Sequence, residues 1–444
     1  MKRILTVAGS DSGGGAGIQA DLKAITVLGG YGMSVLTALT AQNTIGVQGV
    51  HAVPIDFITR QLDSVLSDIG ADAAKTGMLA TPEIVEVVSD GFKRYSVRPL
   101  VVDPVMVAKS GDSLLNEDAR KTIQTKLLPL ATVVTPNLPE AEVLSGFPVT
   151  TLDDMKNAAR AIHDLGPQYV VIKGGHLKAR AVDLLFDGNT FQEFDAPRLD
   201  QRHTHGTGCT FSAALAVNLA DGLPIAEAVG KAKLFITRAI AMGLDIGGGH
   251  GPTNPYAHIL HVTERESVLT KLEKAFEFMS RHKIGKMIPE VRSNLGYALP
   301  GAVGYDEIAA FPGRISQIGE DLVVYKKPAF GVSRHIARVI LAATRHKPDL
   351  RAVMNIRYDP SILDACKKIG LQMAFFDRRQ EPKDVKEREG STLEWGTDQA
   401  LQQFEGTPDL IYDEGEVGKE PMIRILGRNP MAVAEKIIRI HQNL

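Results

Sequence analysis

The sequence predicts an α/β protein: a domain with a mainly parallel sheet flanked by helices, followed by a smaller α/β domain. Three observations carry this. The chain has 444 residues, and single cores stop growing at roughly 250 to 300 residues, so two domains are expected. Short apolar, β-branched runs at Leu100–Val105 (LVVDPV), Thr132–Thr135 and Tyr169–Lys173 (YVVIK) alternate with helical stretches such as Asp153–Leu165, which is the pattern of buried parallel strands. A stretch dense in Gly, Pro and Asn, GLDIGGGHGPTNPYAHILH at 243–261, has the composition of a linker and sets a boundary near 262.

The expected domains are therefore 1–262 and 263–444. Thr263 and Glu266 have capping-box spacing ahead of Val268, Leu269, Leu272, Ala275, Phe276 and Met279, which repeat with helical period, so the second domain is expected to open with a helix. The first 260 residues carry a net charge of -4 and the remainder +2. No internal repeat or low-complexity tract is present, which suits two different folds joined.

Composition excludes several classes. With 44% hydrophobic and 23% charged residues the chain is globular. A net charge of -2 offers no global field for a nucleic-acid backbone or an anionic membrane. The two cysteines, Cys209 and Cys366, lie far apart, which points to a reducing cytosol. No signal-peptide core and no run of about 18 apolar residues occurs, so neither export nor a membrane span is expected.

In the first part each strand-like run ends in polar residues: Asp103, then Asn137 with Glu140, then Lys173. Ligands of open parallel sheets bind outside the carboxyl ends of the strands, where carboxylates and a lysine suit a metal-bound polyphosphate. The competing reading makes Asp103 and Asn137 turn and cap residues. The segment HTHGTGCTFSAA at 203–214 places Gly206, Thr207, Gly208 and Cys209 ahead of a small-residue helix, and bare amides there form an anion hole suited to phosphate. It is not a P-loop, since no Gly-Lys-Ser/Thr follows. AGSDSGGGAGIQAD at 8–21 links a strand to a helix in the same way, without the acidic residue of a dinucleotide fingerprint. Cys209 at a helix head is expected to have a depressed pKa and to act as a base; the alternative is a small apolar residue that shapes the hole.

In order along the chain, AGSDSGGGAGIQADLK, TALTAQNT, KTGMLA, VVDPVM, TPNLPEA, IKGGH and THGTGCTFSAALA resemble the hydroxymethylpyrimidine and phosphomethylpyrimidine kinases of thiamine biosynthesis, members of the ribokinase-like superfamily. The resemblance covers about 1–260. It implies ATP and Mg2+ as cofactors and two successive phosphorylations. It also implies that Gln42 reads the pyrimidine with Gly9 and Asp21 nearby, that Asp103, Asn137 and Glu140 serve the Mg-ATP end, and that Lys173 meets the nucleotide phosphates. Cysteine replaces the aspartate that many sugar kinases carry at position 209, as it does in the pyrimidine kinases.

The second part offers no metal or triad spacing. Arg314 follows Phe311-Pro312-Gly313 in a turn, and His335 opens an amphipathic helix with Ile336, Val339 and Ile340; from the residues alone a lone histidine there is more often structural. IPEVRSNLGYALPGA, GYDEIAAFPGRI, FGVSRHIARVILAA, NIRYDP and FFDRRQEP are similar to the archaeal-type thiamine-phosphate synthase domain found fused behind pyrimidine kinases, over about 270–440. That resemblance implies roles in activity for Arg314 and His335. Two alternatives remain: a second part that only senses thiamine phosphates, and a pyridoxal-type kinase in the first. The expected partners are small molecules, namely hydroxymethylpyrimidine, its phosphates and thiazole phosphate. No nucleic acid or membrane partner is expected, and the chain is expected to form a homo-oligomer.

Overall fold

The computed structural model describes residues 1–106, 117–175, 181–199, 201–382, 391–416 and 419–444; His176 of the IKGGH segment lies outside the described residues. The chain divides into two compact units, Met1–His258 and Ile259–Leu444.

The first unit is built on an eight-stranded sheet. Its elements begin with β1 (Arg3–Ala8), α1 (Gly17–Val27), β2 (Tyr31–Leu36), the hairpin strands β3 (Ala38–Gln42) and β4 (Val47–Ala52), α2 (Ile55–Asp68), β5 (Ala73–Thr76), α3 (Pro82–Arg94) and β6 (Leu100–Val102). After α4 (Glu117–Thr122) come β7 (Val133–Val134), α5 (Leu138–Ser145), α6 (Leu152–His163), β8 (Tyr169–Gly174), β9 (Ala181–Phe186), β10 (Phe191–Ala196), α7 (Thr207–Ala220) and α8 (Ile225–Ala241). The sheet order is β10-β9-β8-β7-β6-β5-β1-β2, with every neighbour pair from β8 to β2 parallel and only β8-β9 and β9-β10 antiparallel. Parallel strands require covered faces, and two apolar clusters supply the cover. Leu5, Val7, Leu100 and Val102 face Ile58, Leu62, Val85 and Ile162 on one side. Ile4, Ala73, Val101 and Val171 face Ala24, Phe211, Ala214 and Val217 on the other. Alanines in α7 let that helix lie close to the sheet, which brings its N-terminus over the ends of β5 and β6.

The stretch expected to be a linker is folded into the first unit. The His205 amide donates to the Gly251 carbonyl (3.1 Å), the Thr253 amide donates to the His205 carbonyl (3.0 Å), and the hydroxyls of Thr253 and Thr210 are 3.3 Å apart. A Cβ on Gly251 would lie 1.9 Å from the Leu244 carbonyl oxygen, so glycine serves close backbone approach here rather than flexibility. Helix α9 (Ala257–Thr263) spans the division between the units, and α10 (Arg265–Ser280) starts from Glu264. The expected Thr263 capping box does not form, because the Thr263 hydroxyl is bound to the Ile259 carbonyl inside α9 (3.0 Å) and no side chain caps α10.

The second unit holds a seven-stranded, mostly antiparallel sheet. Its strands are β11 (Leu295–Ala298), β12 (Ile308–Ala310), β15 (Ala329–Phe330), β16 (Ala352–Arg357), β17 (Met373–Phe375), β18 (Leu410–Asp413) and β19 (Met422–Gly427), in the order β15-β12-β11-β16-β19-β18-β17. A separate hairpin joins β13 (Ile315–Ile318) and β14 (Asp321–Val324). Helix α10 and the C-terminal helix Pro430–His441 contribute Leu272, Ala275, Val433 and Ile437 to one core. Helix α11 (Arg334–His346) and the helix Ser391–Gln403 contribute Ile336, Val339, Ala400 and Leu401 to the other. No helix among the described residues is long and apolar enough to cross a membrane.

Candidate functional site

In the first unit two glycine loops meet backbone to backbone. The loop between β1 and α1 and the loop before α7 touch where a Cβ on Gly206 would fall 1.8 Å from the Gly15 carbonyl oxygen; Gly206 also has φ +77°, which favours glycine. Gly206 is the N-cap of α7, and the Thr207 amide turns back to the Thr204 carbonyl (3.4 Å). The expected anion hole is thus narrower than the Gly206–Cys209 span. Gly208 and Cys209 supply amides that have no protein acceptor among the described residues.

Beside these amides Lys173, from the end of β8, donates to Asp103 at 2.9 Å. Asp103 follows β6, is 2% exposed, and also receives the hydroxyls of Thr135 and Ser212, each at 3.3 Å. Gly208 completes the contact, since a Cβ there would lie 3.2 Å from Lys173 Nζ and 3.3 Å from Asp103 Oδ2. Asn137 and Glu140 form a reciprocal capping box at the start of α5: the Glu140 amide donates to Asn137 Oδ1 (2.9 Å) and the Asn137 amide to Glu140 Oε2 (2.8 Å). The cap reading therefore holds for Asn137, whose side-chain oxygen is committed. Glu140 does more than cap. Burial, offset by Lys173 and reinforced by Asp103, pushes its carboxyl up to about 7. Asp103 and Glu140 thus share one lysine between two enclosed carboxyl groups, a donor set fit for a hard divalent cation completed by water and phosphate oxygens. No group of three or more His, Cys, Asp or Glu gathers as a metal site among the described residues.

One expectation, that for Cys209, needs correction. Asp21, expected near the substrate, is fully buried and bound on both oxygens by Lys75 (3.0 and 2.9 Å), with Thr6 donating at 2.6 Å. It anchors Lys75, an equally buried residue of β5 that sequence reasoning passed over. Cys209 was expected to have a depressed pKa. Burial instead pushes its thiol up to about 11, with Lys75 opposing that rise and Asp21 and Asp103 adding to it. The resting group is a thiol. Gly9 is buried at the end of β1; its carbonyl accepts from the Ile18 amide (3.1 Å), which ties β1 to the start of α1.

Gln42 ends β3 at a register shift in the hairpin, with Ser12 clamping its backbone through two 2.8 Å hydrogen bonds. Its amide lies 3.3 Å from His205 Nε2, which is 3.1 Å from Asp11 Oδ2. Neither Asp11 nor His205 stood out in the sequence; their contact spans 194 residues.

In the second unit Arg314 and His335 line one cavity of about 530 Å³, together with Arg292, Asn294, Ser333 and Arg334. The turn carrying Arg314 is held by two buried asparagines. Asn294 donates to and accepts from Phe311 (3.0 Å each), and Asn355 accepts from the Asn294 amide (2.7 Å) and donates to the Arg292 carbonyl (3.0 Å). Arg314 has φ +69° and its guanidinium donates to the Val291 carbonyl. His335 stays accessible to solvent, yet the enclosing protein, followed by Arg424, Arg314, Arg378 and Arg338, holds its pKa down to about 4. Arg424 and Arg378 are both buried and share a single carboxylate, Asp413, through bonds of 2.8 Å from Arg424 and 3.2 Å from Arg378. Two guanidinium groups on one carboxylate leave excess positive charge close to His335.

A sheet with a helix N-terminus and its open amides over the carboxyl edge, flanked by a lysine-carboxylate pair, defines a ribokinase-like phosphotransferase. The chain belongs to the phosphomethylpyrimidine kinase family, whose model matches residues 11–254, and residues 271–439 match the family model of the thiamine-phosphate synthase ThiN. It is 54% identical over 258 residues to the thiamine biosynthesis bifunctional protein ThiED of Geobacter sulfurreducens, covering 58% of this chain and 52% of that one. It is 53% identical over 251 residues to a hydroxymethylpyrimidine/phosphomethylpyrimidine kinase of Streptomyces coelicolor, covering 56% of this chain and 93% of that one. The chain thus spans about half the length of the first relative and nearly all of the second. A solved structure of the pyridoxal kinase from Staphylococcus aureus with AMP-PCP and pyridoxal matches with TM-score 0.54 and 42% identity, over 58% of this chain and 95% of that one. The chain thus joins a part of the phosphomethylpyrimidine kinase family to a part that matches the thiamine-phosphate synthase model.

Proposed function

We propose that the first unit transfers a phosphoryl group from ATP to 4-amino-5-hydroxymethyl-2-methylpyrimidine and then to its monophosphate, and that the second couples the resulting diphosphate to thiazole phosphate, releasing pyrophosphate. The observation that carries the first reaction is the convergence of the Gly208 and Cys209 amides with Lys173 and Asp103 at one helix N-terminus. Phosphoryl transfer depends on positioning and on charge stabilisation more than on covalent chemistry, and these groups supply both. Asp103 and Glu140 would hold Mg2+, which when bound neutralises phosphate charge. Lys173 orients the transferred group and the helix amides receive its oxygens. Cys209, a thiol at rest, borders the acceptor hydroxyl; it would accept that hydroxyl's proton only as a thiolate, after its own proton has passed to water, a form that Lys75 favours and phosphate charge opposes. A reducing cytosol suits this thiol.

For the second reaction the carrying observation is the cavity that holds Arg314 and His335, with Arg378 and Arg424 near enough to act on His335. Pyrophosphate leaving a carbon that becomes cationic is stabilised by guanidinium groups able to grip two oxygens at once. The test supplies pyrimidine diphosphate and thiazole phosphate directly to the full chain. Thiamine phosphate and pyrophosphate are expected. Binding of thiamine phosphate with no turnover would assign the second unit a sensing role instead.

A further inference from the structure

Asp11 is 2% exposed, and its carboxylate accepts from the amides of Gly13 (2.8 Å), Gly15 (3.0 Å) and Ala16 (2.7 Å). Three amide donors hold a carboxylate in its ionised form. Although burial opposes ionisation, the His205 contact and these amides bring the carboxyl below its ordinary range. His205 Nε2 lies 3.1 Å from Asp11 Oδ2. Two acceptors do not share such a contact, so Nε2 carries a hydrogen.

The histidine is not free to turn away. Its amide and carbonyl are both bonded to the 251–253 loop, and a Cβ on Gly15 would lie 2.5 Å from His205 Cδ2, so the ring packs against a glycine backbone. Gln42 is equally fixed in its main chain by Ser12. Its remaining freedom is the rotation of its amide, and the amide nitrogen stands 3.3 Å from the same Nε2. That orientation sets two N–H donors against each other. Amide oxygen and nitrogen have nearly the same shape, so the hydrogen-bond network decides which one faces a neighbour.

We infer that Asp11 and His205 are positioning residues that lock the Gln42 amide with its oxygen toward His205, the single Nε2–H being shared between Asp11 Oδ2 and the Gln42 oxygen, and its NH2 group toward the ligand. The inference rests on the reading of Gln42 as a substrate contact and deepens it. A site so arranged takes a heteroaromatic ring that presents an unprotonated ring nitrogen at this edge. It rejects a ring with N–H at the same place, because the donors would then be opposed and unpaired. The relay therefore selects the amino form of a pyrimidine over its 4-oxo analogue, in which donor and acceptor are exchanged.

The test uses the full chain labelled with 15N-histidine, with the His205 signals assigned by their loss in His205→Phe. Wild type is expected to show hydrogen on Nε2. In Asp11→Asn an amide NH2 replaces an acceptor opposite the ring, so hydrogen is expected to move to Nδ1. In parallel, kcat/KM is measured for the aminopyrimidine and the 4-oxo analogue. Asp11→Asn is expected to lower the amino-to-oxo preference by about tenfold, mainly through KM, the size of one misplaced hydrogen bond. Hydrogen on Nδ1 in wild type overturns the inference, and so does a variant with unchanged preference. If wild type phosphorylates neither pyrimidine the proposed reaction fails, while the tautomer still decides the relay; the tautomer reading needs only the assigning variant His205→Phe to fold.

Discussion

Replacing Lys75 by methionine leaves the Asp21 carboxylate in a site with no exposed surface and only the Thr6 hydroxyl as a side-chain partner. Breaking one side of a buried ion pair costs about 3–5 kcal/mol, because the remaining charge is uncompensated. A domain of this size loses about 2–4 °C in Tm per kcal/mol, so the first unit of Lys75→Met is expected to melt about 6–20 °C lower. The loss is pH-dependent. Burial pushes the Asp21 carboxyl up even with Lys75 present, and without the lysine the carboxyl is neutral further up the pH scale. Stability in the variant should then fall as pH rises through that raised value, since above it the folded state must hold a buried charge that the unfolded state holds in water. The double variant Asp21→Leu/Lys75→Met removes both charges and should recover most of the loss. The assay is scanning calorimetry of the full chain with kinase activity followed alongside. If Lys75→Met alone shifts the first transition by less than about 2 °C, equivalent to under 1 kcal/mol, the pair does not carry the load argued for it.

Three further outcomes are expected. Cys209, with its thiol near 11, should react slowly with iodoacetamide at pH 7.5 and faster as pH climbs toward that value, the reverse of a helix-activated thiolate; rapid labelling at neutral pH would restore the depressed pKa. His335, held near 4, should stay neutral down to about pH 5, so thiamine-phosphate formation should not change through the usual histidine range near 6.5; Arg314→Ala and His335→Ala should each lose most of that activity with kinase turnover retained. A fragment of residues 1–262 should fold and phosphorylate the pyrimidine, because the 243–256 loop is bonded into the first unit; a folded but inactive fragment would contradict its independence.

How much of this was legible in the sequence depended on distance along the chain. Asp103, Glu140 and Lys173 were found because each follows or ends a β-branched run, and strand ends are local facts that the sheet then gathers. Gly208 and Cys209 were found for a similar reason, at a helix start. The sign of the Cys209 shift was missed because a helix-terminus rule is local, whereas burial and the charges of Asp21 and Asp103 arrive from other elements. Lys75 hid inside an apolar strand, and its partner is 54 residues away. The asparagine ladder behind Arg314 was silent too, since Asn294 and Asn355 acquire their role only when β11 and β16 pair. Linker composition at 243–256 misled, because glycine marks close approach as well as freedom.

The most direct measurement supplies the purified full chain with hydroxymethylpyrimidine, ATP, Mg2+ and thiazole phosphate, and follows pyrimidine phosphates, thiamine phosphate and pyrophosphate over time. The account predicts the monophosphate first, then the diphosphate, then thiamine phosphate with one pyrophosphate released per coupling. Phosphorylation of pyridoxal in preference to the pyrimidine, or a diphosphate that accumulates with no thiamine phosphate formed, would contradict it.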